Sequence, residues 1–203
     1  MAKNADAKRE KILEAAKRRF AHYGLAKTTM AEIAQDLSFS KALLYYYFPD
    51  KNRLYAAVFE SVIEDLRNES LKLITKSKTV QQAMENFLQA RIKIIKENYS
   101  LFEFTYSLNN ELPGELECVF SHFFNKEITL IIEILKKGIE NKEIKVDDIE
   151  LTARILLISI LGMRIGVLQE IKSLFLPPSK IEFENILDLQ RKLSLIFING
   201  LRT

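Results

Sequence analysis

KILEAAKRRFAHYGLAKTTMAEIAQDLSFSKALLYYYFPDKNRLYAAVF, residues 11–59, is the stretch whose reading decides the fold. Ile12, Leu13, Ala16, Phe20 and Tyr23 recur at helical spacing, with Lys and Arg on the other face, over a predicted helix 8–23. Gly24 offers the positive φ at which such a helix stops. Thr29-Met30-Ala31-Glu32 has the form of a capping box and opens a short helix from Met30 to about Leu37. After Ser38-Phe39, Ser40 caps a second short helix that runs to Tyr47. Pro49-Asp50 then breaks the chain and caps a long helix, Lys51 to about Thr75. Two short helices across a turn of two or three residues, behind a longer one, outline a helix-turn-helix, whose second helix enters the DNA major groove. A plain three-helix mini-bundle shares that outline, so the surface chemistry matters. Lys41, Tyr45, Tyr46, Tyr47 and Lys51 crowd the second helix and the start of the next. Their ammonium and hydroxyl groups are donors for phosphate oxygens. Three adjacent tyrosines point in three directions on a helix, so they cannot all be core.

Outward from this stretch the helical rhythm continues. Helices are expected from Thr79 to about Glu97, over Ser100–Leu108, over Glu115–Asn141, from Asp147/Asp148 to about Leu174, and over Ile181–Asn199. Pro113-Gly114 and Pro177-Pro178 are the breaks. The sum is an all-α protein of about nine helices. Few Gly and Pro, 6 and 4 in 203 residues, and scarce alternating patterns argue against a β-sandwich. With 48% hydrophobic residues a sizeable core can form. The net charge of +3 is unevenly placed: residues 1–53 hold 11 Lys and Arg against 6 Asp and Glu, and the other 150 hold 19 against 21. A basic N-terminal region on a near-neutral body suits a polyanion at that end.

The segment Lys11 to Phe59 resembles the N-terminal domain of TetR-family repressors. The resemblance rests on Ile12, Leu13, Ala15, Ala16, Phe20, Gly24, Thr28, Thr29, Ile33, Ala34, Ser40, Leu44, Tyr45, Tyr47, Phe48 and Lys51 at the family's spacing. It implies a helix-turn-helix DNA-binding domain over 1–52 and a helical effector-binding and dimerisation domain over 53–203. It also implies roles within the first domain: Thr28, Thr29, Tyr47 and Lys51 would contact phosphates, and Met30, Lys41, Ala42, Leu43 and Tyr46 would reach bases. Tyr45 would divide its ring between core and phosphate, while Ile33, Leu37, Leu44 and Phe48 would form the small core. Two departures stand out. The turn, Gly-Val-Ser in the family, is Ser38-Phe39-Ser40 here, which asks Ser38 for an unusual backbone angle. The family's Gly and small or Thr positions are Ala42 and Leu43, on the face that would meet bases, which bears on operator sequence rather than on DNA binding.

Other chemistry is thinly represented. His22 and His122 lie 100 residues apart and no cluster has metal-ligand spacing, so no metal or cofactor is expected. No nucleophile elbow, P-loop or dinucleotide fingerprint occurs. Cys118 is the only cysteine; beside Val119 and Phe120 it reads as a packed thiol in a reducing cytoplasm. Met1–Glu10 lacks the apolar core of a signal peptide, and the longest apolar run, Ile155–Leu168, is shorter than a bilayer span and carries Arg164. Tyr99, Phe102 and Tyr106, with Phe120, Phe123 and Phe124 downstream, are either ordinary core or the walls of an apolar effector pocket in residues 80–175. Arg91, Glu103, Arg154 and Arg164 could furnish its polar end. Gly162 and Gly166, one turn apart in an apolar helix, allow close helix approach, and the resemblance makes the last two long helices a homodimer interface. The expectation is a homodimeric repressor of a palindromic double-stranded operator, released by a small hydrophobic or aromatic effector. The alternatives are a small helical enzyme and a helical interaction module that binds no DNA.

Overall fold

The computed structural model describes residues 2–102, 114–170 and 179–202. These form eight α-helices and one 3₁₀ turn, and no strand occurs among them. The helices are α1 (Ala2–Lys27), α2 (Met30–Asp36), α3 (Lys41–Tyr47), α4 (Lys51–Lys76), α5 (Val80–Glu97), α6 (Gly114–Glu140), α7 (Ile149–Glu170) and α8 (Lys180–Gly200), with the 3₁₀ turn at Tyr99–Leu101. The all-α expectation holds. Of the helix expected over Ser100–Leu108, the described part is the 3₁₀ turn ending at Phe102, and the rest lies outside the described residues. Gly24 takes φ 73° as the sequence implies, yet α1 resumes helical hydrogen bonding beyond it to Lys27. The glycine thus ends the first helical run, and a second short run to Lys27 follows across the kink.

The chain divides into two compact units, Met1–Ile63 with Glu97–Ser121, and Glu64–Lys96 with His122–Thr203. The first is centred on Ile12, Ala16 and Phe20 of α1, Ile33 of α2, Leu44 of α3, and Leu54, Tyr55 and Phe59 of α4, all with no exposed surface. A chain of rings runs through it. Phe20 meets Tyr55 edge-on at 5.1 Å, Phe59 meets Phe102 at 5.1 Å, and Phe120 stands edge-on to Phe59 at 4.7 Å. The Tyr55 hydroxyl donates to the Leu101 carbonyl, tying the 3₁₀ turn to α4.

The second unit buries one stripe of each helix. On α5 the buried positions Val80, Ala83, Met84, Phe87, Leu88, Ala90, Arg91, Ile94 and Ile95 follow the three-and-four spacing of a single face. Val80, Ala83, Met84, Phe87 and Leu88 pack with Ile131, Ile134 and Leu135 of α6, Ala153, Leu156, Leu157 and Ile160 of α7, and Ile198 of α8. Polar clamps hold the ends. The Glu143 carboxylate accepts from the Val80 N–H at 3.1 and 3.2 Å, so a residue from the α6–α7 turn caps α5. Arg191 of α8 donates from Nε to both Glu85 oxygens, at 2.8 and 2.9 Å. Inside, Arg91 donates to Glu127, and both side chains are almost wholly buried.

The α6–α7 turn has no spare room. A Cβ on Gly138 would stand 2.9 Å from the Ile144 side chain and from Val80 Cβ. Gly138→Ala should therefore push this turn off the start of α5 and cost about 1–3 kcal/mol of stability. Urea unfolding would read it as a lower midpoint with unchanged slope.

Candidate nucleic-acid interface

α2 and α3 have seven residues each, so most of their backbone groups lie at helix ends and need partners. At the start of α2, Thr29 Oγ1 accepts from the Glu32 N–H at 3.3 Å and Glu32 Oε2 accepts from the Thr29 N–H at 2.9 Å, which completes the expected capping box. At its end, Phe39 N–H donates to the Ala34 carbonyl at 2.9 Å across Ser38, whose φ is 54°. The left-handed residue that the family fills with Gly is thus present, and Ser pays the Cβ strain for it. Ser40 Oγ then accepts from the Leu43 N–H at 3.2 Å to open α3, and Asp50 Oδ1 accepts from the Arg53 N–H at 2.8 Å to open α4.

Arg19 of α1 braces the pair. Its Nε and Nη2 donate to the two Asp36 oxygens at 2.6 and 2.8 Å, and Nη1 lies 3.3 Å from Glu32 Oε1. One guanidinium thereby joins α1 to both ends of α2. The Arg19 hydrogen bonds hold the Asp36 carboxyl below its ordinary value. Glu32 is lowered chiefly by the Thr29 hydroxyl and amide, with Arg19 adding to the effect. Burial sets the remaining orientation. Leu44 is fully buried and Phe48 nearly so, with the Arg9 guanidinium 5.3 Å over the Phe48 ring.

The face of α3 left outward carries Lys41, Ala42, Tyr45 and Tyr46, all exposed, and Tyr46 is the most open at 80%. Leu43 and Tyr47 are half-buried, and the Tyr47 ring stands edge-on to Tyr46 at 5.3 Å. Thr29 is exposed at the start of α2. Lys51 is half-buried and its Nζ donates to the Leu25 carbonyl at 2.8 Å, which leaves two of the three ammonium donors for another acceptor.

Three expectations are corrected. Thr28 does not offer its hydroxyl outward: the side chain is fully buried and Oγ1 donates to the Gly24 carbonyl at 2.8 Å, closing the strand of chain after the kink. Met30 is buried with Ile33 and Ala34 on the inner face of α2, so it packs rather than reaching toward bases. Cys118, expected as a packed thiol, is exposed, because the inward residues of that part of α6 are Leu116 and Phe123.

The aromatic residues read as a possible pocket have these places. Phe102 is buried on Phe59, Phe120 is half-buried against the same ring, and Tyr99 is half-buried in the 3₁₀ turn. Phe123 is buried in the other unit, where Phe124 lies 5.8 Å beneath the Arg154 guanidinium. Tyr106 and Glu103 lie outside the described residues. A groove of about 460 Å³ runs between the start of α5 and α8, lined by Met84, Leu88, Arg191, Ser194, Leu195 and Ile198 rather than by these rings. Nothing in the sequence singled it out, because its walls are ordinary core and rim residues of two distant helices. Among the described residues no group of His, Cys, Asp and Glu has the arrangement of a metal site, and no helix is long and apolar enough to cross a membrane.

Because Asp36 and Glu32 titrate lower in the folded chain than in the unfolded one, their stabilising contribution is complete above the usual carboxylate range. It is lost as the pH falls through their depressed folded values. Asp36→Asn should flatten the acid limb of the stability–pH curve below about pH 4 relative to the parent, with little change in its shape near neutrality. Thermal melts between pH 2 and 7 would check this, and an unchanged acid limb would dismiss the Arg19 brace as a source of acid sensitivity.

Comparison with known proteins agrees with this geometry. Residues 12–58 match the model of the bacterial regulatory proteins, tetR family. Over its length the chain is similar to a transcriptional regulator of Cytophaga hutchinsonii, with 30% identity, a TM-score of 0.82, and coverage of 96% of this chain and 98% of that one. It shares its fold with a tetR-family regulator of Mesorhizobium loti at 17% identity and a TM-score of 0.77, covering 98% of each. It is 26% identical over 156 residues to the HTH-type transcriptional regulator YhgD of Bacillus subtilis, covering 72% of this chain and 76% of that protein. A capped helix-turn-helix with an outward basic and tyrosine-rich face, joined to an all-helical body of this length, makes the chain a DNA-binding transcriptional regulator of the tetR family rather than an enzyme.

Proposed function

We propose that the chain is a homodimeric repressor of a palindromic operator, working in the cytoplasm and released from DNA by a small, mainly apolar effector. In this reading residues 1–52 are the DNA-binding domain and 53–203 the effector-binding and dimerisation domain. The observation that carries it is the outward face of α3, where Lys41, Ala42, Tyr45 and Tyr46 stand free of the core while Leu44 anchors the helix from behind. With Lys41, Ala42, Leu43 and Tyr46 toward base edges, and Thr29, Tyr45, Tyr47 and Lys51 toward phosphates, the two kinds of contact divide as affinity and specificity do. The effector reading rests on the family and on the apolar interior of the second unit; of the candidate contacts Tyr99, Phe102, Tyr106, Phe120, Phe123 and Phe124, only Phe123 and Phe124 belong to that unit.

The dimer reading has its own support. Leu151, Ile155 and Ile158 are exposed on one face of α7, and the same helix carries Gly162 and Gly166 with open space where a Cβ would stand. On α8, Ile181, Leu189 and Ile196 are exposed at near-heptad spacing, Ile196 at 71%. A large apolar surface of this kind on a regulator suits a second copy of itself, with the two α7/α8 pairs forming a four-helix bundle. To read two half-sites, such a dimer would need its recognition helices about 34–36 Å apart, one turn of duplex.

Three measurements test this. Lys41→Ala should relax sequence preference at one base pair per half-site, costing about 1–3 kcal/mol there, as read by selection of bound fragments. Lys51→Ala should instead weaken binding to all sequences and lower the log–log salt slope by about one unit per half-site. Ile196→Glu should sediment as a monomer and bind the operator at least about tenfold more weakly although the α3 face is untouched. A variant that remains a tight dimer would remove α8 from the interface.

A further inference from the structure

The interior of the second unit is apolar with few exceptions, and one of them is an ion pair. Arg91 of α5 and Glu127 of α6 have side chains only 1% and 2% exposed. Arg91 Nε donates to Glu127 Oε1, and Nη2 donates to Oε2 at 3.4 Å. Nη1, which carries two N–H donors, is buried with no acceptor. A buried pair of this kind is no more stabilising than apolar residues of the same volume, and an unmatched donor makes it worse. Its presence is better explained by something it binds.

Helix register gives the pair its neighbours. Phe123 and Phe124 precede Glu127 on α6 by four and three residues, so rings and carboxylate share one side of the helix. Surface pairs hold α4 against the same two helices, Lys126 to Glu64 at 2.9 Å and Lys93 to Glu69 at 3.5 Å. Beside Glu69, Ser70 is fully buried and its hydroxyl also has no partner. Charge decides which ligand fits. The guanidinium is already neutralised by Glu127, so a ligand carboxylate would leave a net negative charge in an apolar interior. An uncharged carbonyl takes up the Nη1 donors at no such cost.

We propose that Arg91, oriented by Glu127, is the polar anchor of the effector site, and that the effector is an uncharged apolar molecule bearing a carbonyl, such as a ketone, ester or lactone. The carbonyl oxygen accepts from Nη1 and the apolar body lies along the Phe123–Phe124 side of α6. This rests on the effector-released regulator reading and deepens it.

The test uses the full chain with 2-decanone, γ-decalactone, decanoate and decylamine, followed by thermal shift and by displacement from operator DNA. The ketone and lactone should raise the melting temperature and release DNA, and the two charged compounds should do neither. Arg91→Met alone would strand Glu127 and can misfold, so the paired Arg91→Met/Glu127→Met variant is the informative one. It should fold and bind operator as the parent does, while its affinity for 2-decanone falls about tenfold or more. Preference for decanoate or decylamine, no response to any of the four, or an unchanged 2-decanone affinity in the paired variant would each overturn the proposal. Failure of the parent to bind operator before any ligand is added would instead count against the regulator reading.

Discussion

Seven-residue helices have nearly as many unsatisfied ends as internal hydrogen bonds, and that constraint governs the first sixty residues. Neither α2 nor α3 has the length to persist alone in water. Each exists because its ends are met: Thr29 and Glu32 at one start, Ser40 at the other, a left-handed Ser38 between them, and the Phe48 amide returned to Leu44. Arg19 adds a tertiary bond to the same ends. Once the ends are satisfied, Leu44 and Ile33 have only one way to turn inward. The outward residues of α3 then follow without further specification.

The same rule explains why some donors of the predicted interface are unavailable. Thr28 follows a kink that frees the Gly24 carbonyl, and its hydroxyl is the nearest donor that can satisfy it. Lys51 meets the Leu25 carbonyl in the same region. A side chain that repairs a broken helical turn cannot also offer that donor to DNA, whereas an ammonium with three donors can do both. Thr28 and Lys51 look alike as polar residues near the interface, yet they differ in what the kink requires of them.

In the second unit the constraint is burial rather than helix ends. α5, α6, α7 and α8 share an aliphatic core, and two of the buried polar side chains of this unit are partly matched: Arg91 by Glu127, and Gln190 through Nε2 to the Ile160 carbonyl at 3.1 Å. Outside that core α7 and α8 still display isoleucines and leucines.

How much of this was legible beforehand differs by residue. The caps at Thr29, Ser40, Asp50, Thr79 and Asp148 could be read directly, because a cap is a local bond between residues three apart. The all-helical fold followed from periodicity, and the outward place of Lys41 and Tyr46 from the family resemblance. Long-range partners were not legible. That Phe102 and Phe120 both meet Phe59, that Met30 faces the core and that Arg91 pairs with Glu127 36 residues away depend on how helices pack. Periodicity states that a helix has an apolar side, but several partners of similar shape can cover it. The sequence by itself therefore determined most of the helices and their local caps. Only the tertiary structure decided which rings and charges meet inside, since burial energy depends on shape matched across the whole chain.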